Sequence, residues 1–214
     1  MRVLRSLVLL AVCLYFAAPC PGEDSNTRFY WDGSKIEKDW ESIGQSRILS
    51  ENERTALISA VAAQLRSSMS GLNIDSEQHL REFAARTQIK IVHLGGRGHR
   101  EVLASATDPS GFLCSPTGNC VVWIFRQQGD KYSLILNRGA VQNFTIQPTI
   151  TNGFHDIVLG QHGSATEQGL KLFRFDGSAY RLAACYEARW AILENGEVHD
   201  LEQPQITPCQ TRKK

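Results

Sequence analysis

Two spacing rules govern where hydrophobic residues fall along this chain, and the change from one to the other divides it. Between residues 50 and 71, Leu57, Ile58, Val61, Leu65 and Met69 recur at helical spacing. The run opens on Ser50-Glu51-Asn52-Glu53, which has the form of a capping box, and closes at Gly71. Glu53, Gln64 and Arg66 lie on the opposite face, so the predicted helix has one apolar side in need of a partner surface. A second helix is expected from Ser76 to Arg86, with Asp75 as its cap and Leu80 and Phe83 inward. Upstream, Ser34-Lys35-Ile36-Glu37 repeats the capping spacing and predicts a short helix presenting Ile36, Trp40 and Ile43 until Gly44 stops it.

From Ile89 onward the pattern is that of strands. Ile89 to Leu94 and Glu101 to Ala106 flank the turn Gly95-Gly96-Arg97-Gly98. Further strands are expected over Val121 to Arg126, Tyr132 to Asn137, Ala140 to Gln147, Asp156 to Leu159, Leu170 to Phe175 and Tyr180 to Ala184. Trp190 to Leu193 and Val198 to Leu201, around Asn195-Gly196, have the form of another hairpin, and the residues from Pro204 to the C-terminus read as irregular, tied down by Cys209. Phe125, Arg126, Gly129, Tyr132 and Leu134 recur as Phe173, Arg174, Gly177, Tyr180 and Leu182, each separated by the same 48 positions (173 minus 125). The fold class predicted is therefore α+β, with N-terminal helices packed on an antiparallel β-meander that carries a twofold hairpin repeat.

Composition changes this picture only at the N-terminus. Arg2 and Arg5 precede an apolar run from Leu7 to Phe16 and the exit Ala17-Ala18-Pro19-Cys20-Pro21-Gly22, the form of a secretory signal peptide over residues 1–22. A second reading makes Cys20 a lipid acceptor, although Pro19 departs from the small residue that such signals use. The predicted organisation is a signal peptide over 1–22, an N-terminal segment with a short helix over 23–48, and an α+β domain with an antiparallel sheet over 49–214. Removing the leader takes two arginines from 23 basic residues and leaves 21 against 22 acidic ones, a near-neutral balance that argues against nucleic acid as a partner. No transmembrane span is expected in the mature chain.

Export determines how the cysteines read. Cys114, Cys120, Cys185 and Cys209 remain after the leader, and an even number in an oxidising compartment implies two disulfides in one of three pairings. Cys114 with Cys120 and Cys185 with Cys209 is the pairing favoured. The chain-entropy argument assigns about 2 kcal/mol to the short loop and about 3.5 kcal/mol to the long one. A zinc site is disfavoured by the five-residue spacing and by the lack of a His at finger distance.

Four constellations are candidates for chemistry. Cys120 with His155 and Asp156 has the residue types of a cysteine nucleophile, base and orienter, but an oxidised thiol is no nucleophile. His155, Asp156 and His162 are metal-ligand types, yet adjacent His155 and Asp156 point to opposite faces of a strand. Ser164 lies between Gly163 and Ala165, without the Gly-x-Ser-x-Gly elbow. His93 and His99 flank the Gly-rich turn, which is followed by no helix and no Lys-Ser/Thr pair and so does not have the form of a phosphate loop. No cofactor is implied. His155, Asp156, His162 and Ser164 remain as candidate binding residues.

Asn152-Gly153-Phe154-His155-Asp156-Ile157-Val158 is similar to the ends of calcium-binding FG-GAP blades, but Pro148-Thr149-Ile150-Thr151 supplies none of the acidic ligands calcium needs. Taken with Gly118-Asn119-Cys120, Trp123-x-Phe125 and the second Phe-Arg-Phe-Asp-Gly turn, the stretch from about 90 to 190 resembles a group of exported bacterial proteins to which no activity is assigned. The resemblance implies compartment and fold, and no catalytic residue. The expectation is a periplasmic or secreted, non-catalytic binding or structural domain, of envelope-stress or inhibitor type. It would present Ser115 to Asn119 or Gln161 to Gln168 to another envelope protein. The alternative is a metal-dependent or cysteine hydrolase using His155, Asp156 and His162, or Cys120.

Overall fold

A computed structural model describes residues 30–31, 40–68, 76–96, 98, 100–106, 113–191 and 204–209. The leader, Ser34 to Glu37, Met69, Gly71, Asp75, Arg97, His99 and the Asn195-Gly196 hairpin lie outside them. The chain enters through β1 (Glu41–Ser42) and a 3-10 turn (Ile43–Gln45), followed by α1 (Glu51–Ser68) and α2 (Glu77–Arg86). Then come β2 (Gln88–Val92), β3 (Glu101–Ser105), β4 (Cys120–Gln128) and β5 (Lys131–Val141). β6 (Asn143–Thr151), β7 (Phe154–Ser164), β8 (Glu167–Phe175), β9 (Tyr180–Arg189) and β10 (Gln205–Pro208) complete the order.

The capping box predicted for α1 forms in full. Ser50 N–H donates to the Glu53 carboxylate at 2.6 Å, and Glu53 N–H donates to Ser50 Oγ at 3.3 Å. The same carboxylate accepts from Gln127 of β4 at 2.6 Å and pairs with Arg100 at 3.0 Å, so the cap also fastens the helix to the sheet. These contacts, led by the Ser50 amide, hold the Glu53 carboxyl below its ordinary range. On α2 the cap is Ser76, whose side chain accepts from His79 N–H; the sequence reading placed it at Asp75. A second difference lies at residues 41–45. Where the apolar spacing of Trp40 and Ile43 predicts helix, Glu41 and Ser42 pair with Ile89 and Gln88, and a 3-10 turn follows.

Among the described residues the strands form two five-stranded sheets, β1-β2-β3-β4-β5 and β10-β9-β8-β7-β6, each an antiparallel meander. The molecule is thus α+β, with three packed layers. Leu57, Val61, Leu65, Leu80 and Ala84 of the helices cover Ile89, Val102, Trp123 and Phe125 of the first sheet. The other face of that sheet, with Leu103, Val122, Ile124 and Leu136, packs on Ile157, Leu159, Phe173 and Phe175 of the second. The outer face of the second sheet carries Val158, Leu170, Leu172 and Ala188, closed over by Trp31.

The two similar hairpins share one pairing register. Phe125 opposes Leu134 and Arg126 opposes Ser133; 48 positions on, Phe173 opposes Leu182 and Arg174 opposes Arg181. Each has its register shift at the step before the Phe, and each turns through a glycine at positive φ, Gly129 at 59° and Gly177 at 105°. Their settings differ. Phe125 faces the helices, whereas Phe173 faces the first sheet, where Arg138 lies 5.0 Å from its ring centroid.

The chain passes from one sheet to the other at Ala140 to Gln142. Ala140 adopts φ 59°, and Gln142 N–H bonds to Gly160 O at 2.8 Å. The sequence reads this region as one continuous strand. β6 includes Pro148 within its irregular stretch, as the edge position of the strand permits. At the C-terminus, the segment read as irregular is β10, pairing along β9 from Gln205↔Arg189 to Pro208↔Tyr186. Cys185 is bonded to Cys209 beside it, and Cys114 to Cys120.

Candidate functional site

Cys114–Cys120 closes a loop in which Ser115 to Gly118 are exposed and Asn119 is buried. Inside it, Ser115 N–H bonds to Asn119 O at 2.8 Å and Gly118 N–H to Ser115 O at 2.9 Å, a compact turn. The Asn119 side chain then reaches across to the other sheet. Its Oδ1 accepts from His162 N–H at 2.8 Å and its Nδ2 donates to His162 O at 3.0 Å. One amide therefore reads both polar groups of a single β7 residue, much as a neighbouring strand would. His162 enters this contact through its backbone. The clasp brings the disulfide loop beside the β7–β8 turn, where Ser164 Oγ accepts from Thr166 N–H at 3.3 Å.

The Asn152-to-Asp156 motif does corresponding work at the opposite end of β7. Asn152 and Gly153, with φ 50° and 81°, make the β6–β7 turn, and Asn152 Nδ2 donates to Phe175 O at 2.8 Å. Phe154 is buried and stacks against Phe175 with centroids 4.2 Å apart, and the Arg126 guanidinium of the first sheet lies 5.7 Å from the Phe154 ring. His155 N–H crosses to Leu94 O of the first sheet at 2.7 Å, while its Nδ1 meets Gln147 O at 2.7 Å. Its own carbonyl accepts from Tyr180 O–H at 2.6 Å. Burial above all, with Glu101 and Asp156 adding to it, pushes the Tyr180 phenol well above its ordinary range. Asp156 accepts from Thr149 Oγ1 at 2.9 Å and faces Arg174 at 3.5 Å. Glu101, fully buried in β3, accepts from Leu94 N–H at 2.9 Å and Gly95 N–H at 3.3 Å, which fixes the loop that His155 grips.

The candidate residues are therefore not brought to one place. His155 and His162 sit seven residues apart on one strand, about 23 Å at 3.3 Å per residue. Cys120 is bonded to Cys114 and is held beside His162, at the far end of β7 from His155 and Asp156. Ser164 is exposed at the end of β7, two residues beyond His162. His93 is exposed. Among the described residues no three His, Cys, Asp or Glu side chains gather as a metal-binding group, and no helix is long and apolar enough to cross a membrane.

Sequence reasoning did not pick out Glu101, Tyr180 as a hydrogen-bond donor, or Gln147. Only an acid placed next to an apolar strand marked the first, and the partners of the other two are distant in sequence. Compared with protein-family models, curated proteins and solved structures, the chain matches none.

Proposed function

We propose that the chain is an exported, periplasmic binding module that presents one end of its sandwich to another envelope protein and carries out no chemistry itself. The observation that carries this reading is the Asn119 clasp. It joins the Ser115-to-Asn119 loop and the Gln161-to-Gln168 turn, distant in sequence, into one surface. A disulfide braces one side of that surface and a β-hairpin the other. The exposed residues there are mostly small, among them Ser115, Pro116, Thr117, Gly163, Ser164 and Ala165, with charged Glu167 beside them, and a stiff frame keeps the ordering cost of binding low. Two disulfides suit an oxidising compartment. Asn119 and the backbones of His162 and His155 are engaged in joining the sheets, and Asn152 and Asp156 are engaged by Phe175 O, Thr149 and Arg174 within the second sheet, so each has a structural role.

The test is capture from an envelope extract with the wild-type chain, with Thr117→Arg and with Ser164→Arg, after melting curves show all three equally folded. The reading expects a defined protein retained by wild type and reduced at least tenfold by either loop variant. Retention of the same proteins by all three, or of nothing above a scrambled-bait control, rejects it.

A further inference from the structure

The outer face of the second sheet contains a slot that accepts one aromatic side chain and reads one peptide unit beside it. Trp31 fills the slot, buried among Val158, Leu170, Leu172 and Ala188. Its floor is Gly160, where a Cβ would stand 2.5 Å from one indole carbon and 3.0 Å from another. Any side chain there would exclude the ring. Next to the slot, the Gln147 side chain accepts from Tyr30 N–H at 2.7 Å and donates to Tyr30 O at 2.8 Å, so that residue 30 is recognised through its backbone.

Three observations mark this as docking of a separable segment. The second sheet is built from residues 143–189 and 205–208, and none of its strand pairing uses residues 30 or 31. The contact joins positions 117 apart in sequence, so the sheet assembles its slot from elements far from the segment that fills it. The buried indole Nε1 has no hydrogen-bond partner among the described residues, and an unmet buried donor weakens the hold of the chain on its own tryptophan.

We propose that this slot is an interaction site for a Tyr-Trp segment, filled by the chain's own Tyr30 and Trp31 in the monomer and by the same segment of a second copy when arms are exchanged. The occupant is defined by what the slot reads, one backbone unit and one flat aromatic ring, and every copy carries that ligand. The proposal uses Gly160 and Gln147 and does not depend on the loop surface proposed above. In the monomer Tyr30 and Trp31 belong to the same chain as the slot and compete for it, so a free peptide is expected to bind wild type more weakly than a chain with an empty slot.

The test mixes two variants of the full chain. Trp31→Ala leaves the slot empty, and Gly160→Val blocks the slot but frees an intact arm. Each alone is expected to elute as a monomer. An equimolar mixture is expected to form a one-to-one complex of twice the mass by light scattering, which is lost when the Gly160→Val chain also carries Trp31→Ala. A mixture that elutes as the sum of its parts overturns the proposal. Should Trp31→Ala be too unstable to mix, a peptide of sequence Arg-Phe-Tyr-Trp-Asp-Gly is titrated into it. A melting temperature that rises and saturates with this peptide, but not with its Trp→Ala form, supports the proposal, and no rise overturns it.

Discussion

Asn119→Ala separates a motif that builds the fold from one that serves a reaction. The substitution deletes the two hydrogen bonds to His162, at 2.8 and 3.0 Å, together with a third to Thr117 Oγ1 at 3.0 Å within the loop. Net contributions of about 1 kcal/mol for each inter-sheet bond give about 2 kcal/mol. The local bond adds little, since Thr117 is exposed and water replaces it. His162 is half-buried, so water also recovers part of its freed N–H and C=O, which keeps the cost near 2 kcal/mol. For a chain of this size that is a fall in Tm of about 4–8 °C. The assay is thermal and urea unfolding of the oxidised protein, followed by the fluorescence of buried Trp123. The same substitution made in a Cys114→Ser/Cys120→Ser background is expected to cost less, because the disulfide positions the amide it removes. An Asn119→Ala protein within 0.5 kcal/mol of wild type in the oxidised form refutes the clasp.

Ser50→Ala removes one half of the capping box and is expected to cost about 1 kcal/mol in urea unfolding, with the near-UV spectrum unchanged. The Tyr180 phenol is raised above its unfolded value of 10.0, so its contribution to stability is complete below that pH and is lost as pH rises beyond it. Tyr132, pushed up to about 12 chiefly by burial and then by Glu53, acts in the same direction. Unfolding free energy measured at pH 8 and pH 11 should therefore fall with pH, and fall less in Tyr180→Phe. Phe125→Ala and Phe173→Ala are each expected to cost about 3–5 kcal/mol, since both rings are almost wholly buried; a loss below 2 kcal/mol at either would contradict the layer assignment.

Local signals made α1 and the two glycine hairpins legible. The capping box, the helical spacing of Leu57, Val61 and Leu65, and the paired Phe-Arg-x-x-Gly turns all depend on residues close together in sequence. What escaped the reading depends on distant partners. Residues 140–147 carry an unbroken strand pattern, and the left-handed turn falls on Ala140, a residue that gives no warning of it, so one sheet and two sheets look alike there. Gly160, Gly163 and Gly169 suggest loop, yet all three lie within β7 and β8, and Gly160 is needed for space under Trp31. Pro204 and Pro208 disguised β10, because proline is tolerated only where a strand lies at an edge, and sequence does not announce edges.

The candidate site divides the same way. His155, Asp156 and Asn119 were picked out correctly as special, but their partners, Leu94, Arg174 and His162, are 61, 18 and 43 positions away by subtraction of residue numbers. That distance is what separates a clamp from a catalytic group on paper.

Amide hydrogen exchange at His155 and His162 tests the account most directly. Both N–H groups bond across the layers, one to Leu94 O at 2.7 Å and one to Asn119 Oδ1 at 2.8 Å. If these contacts hold the two sheets together, both amides exchange only through global unfolding, with protection equal to the unfolding free energy, and Asn119→Ala lowers protection at His162 more than at His155. Fast exchange at both positions in a protein whose strand interiors remain protected would contradict it.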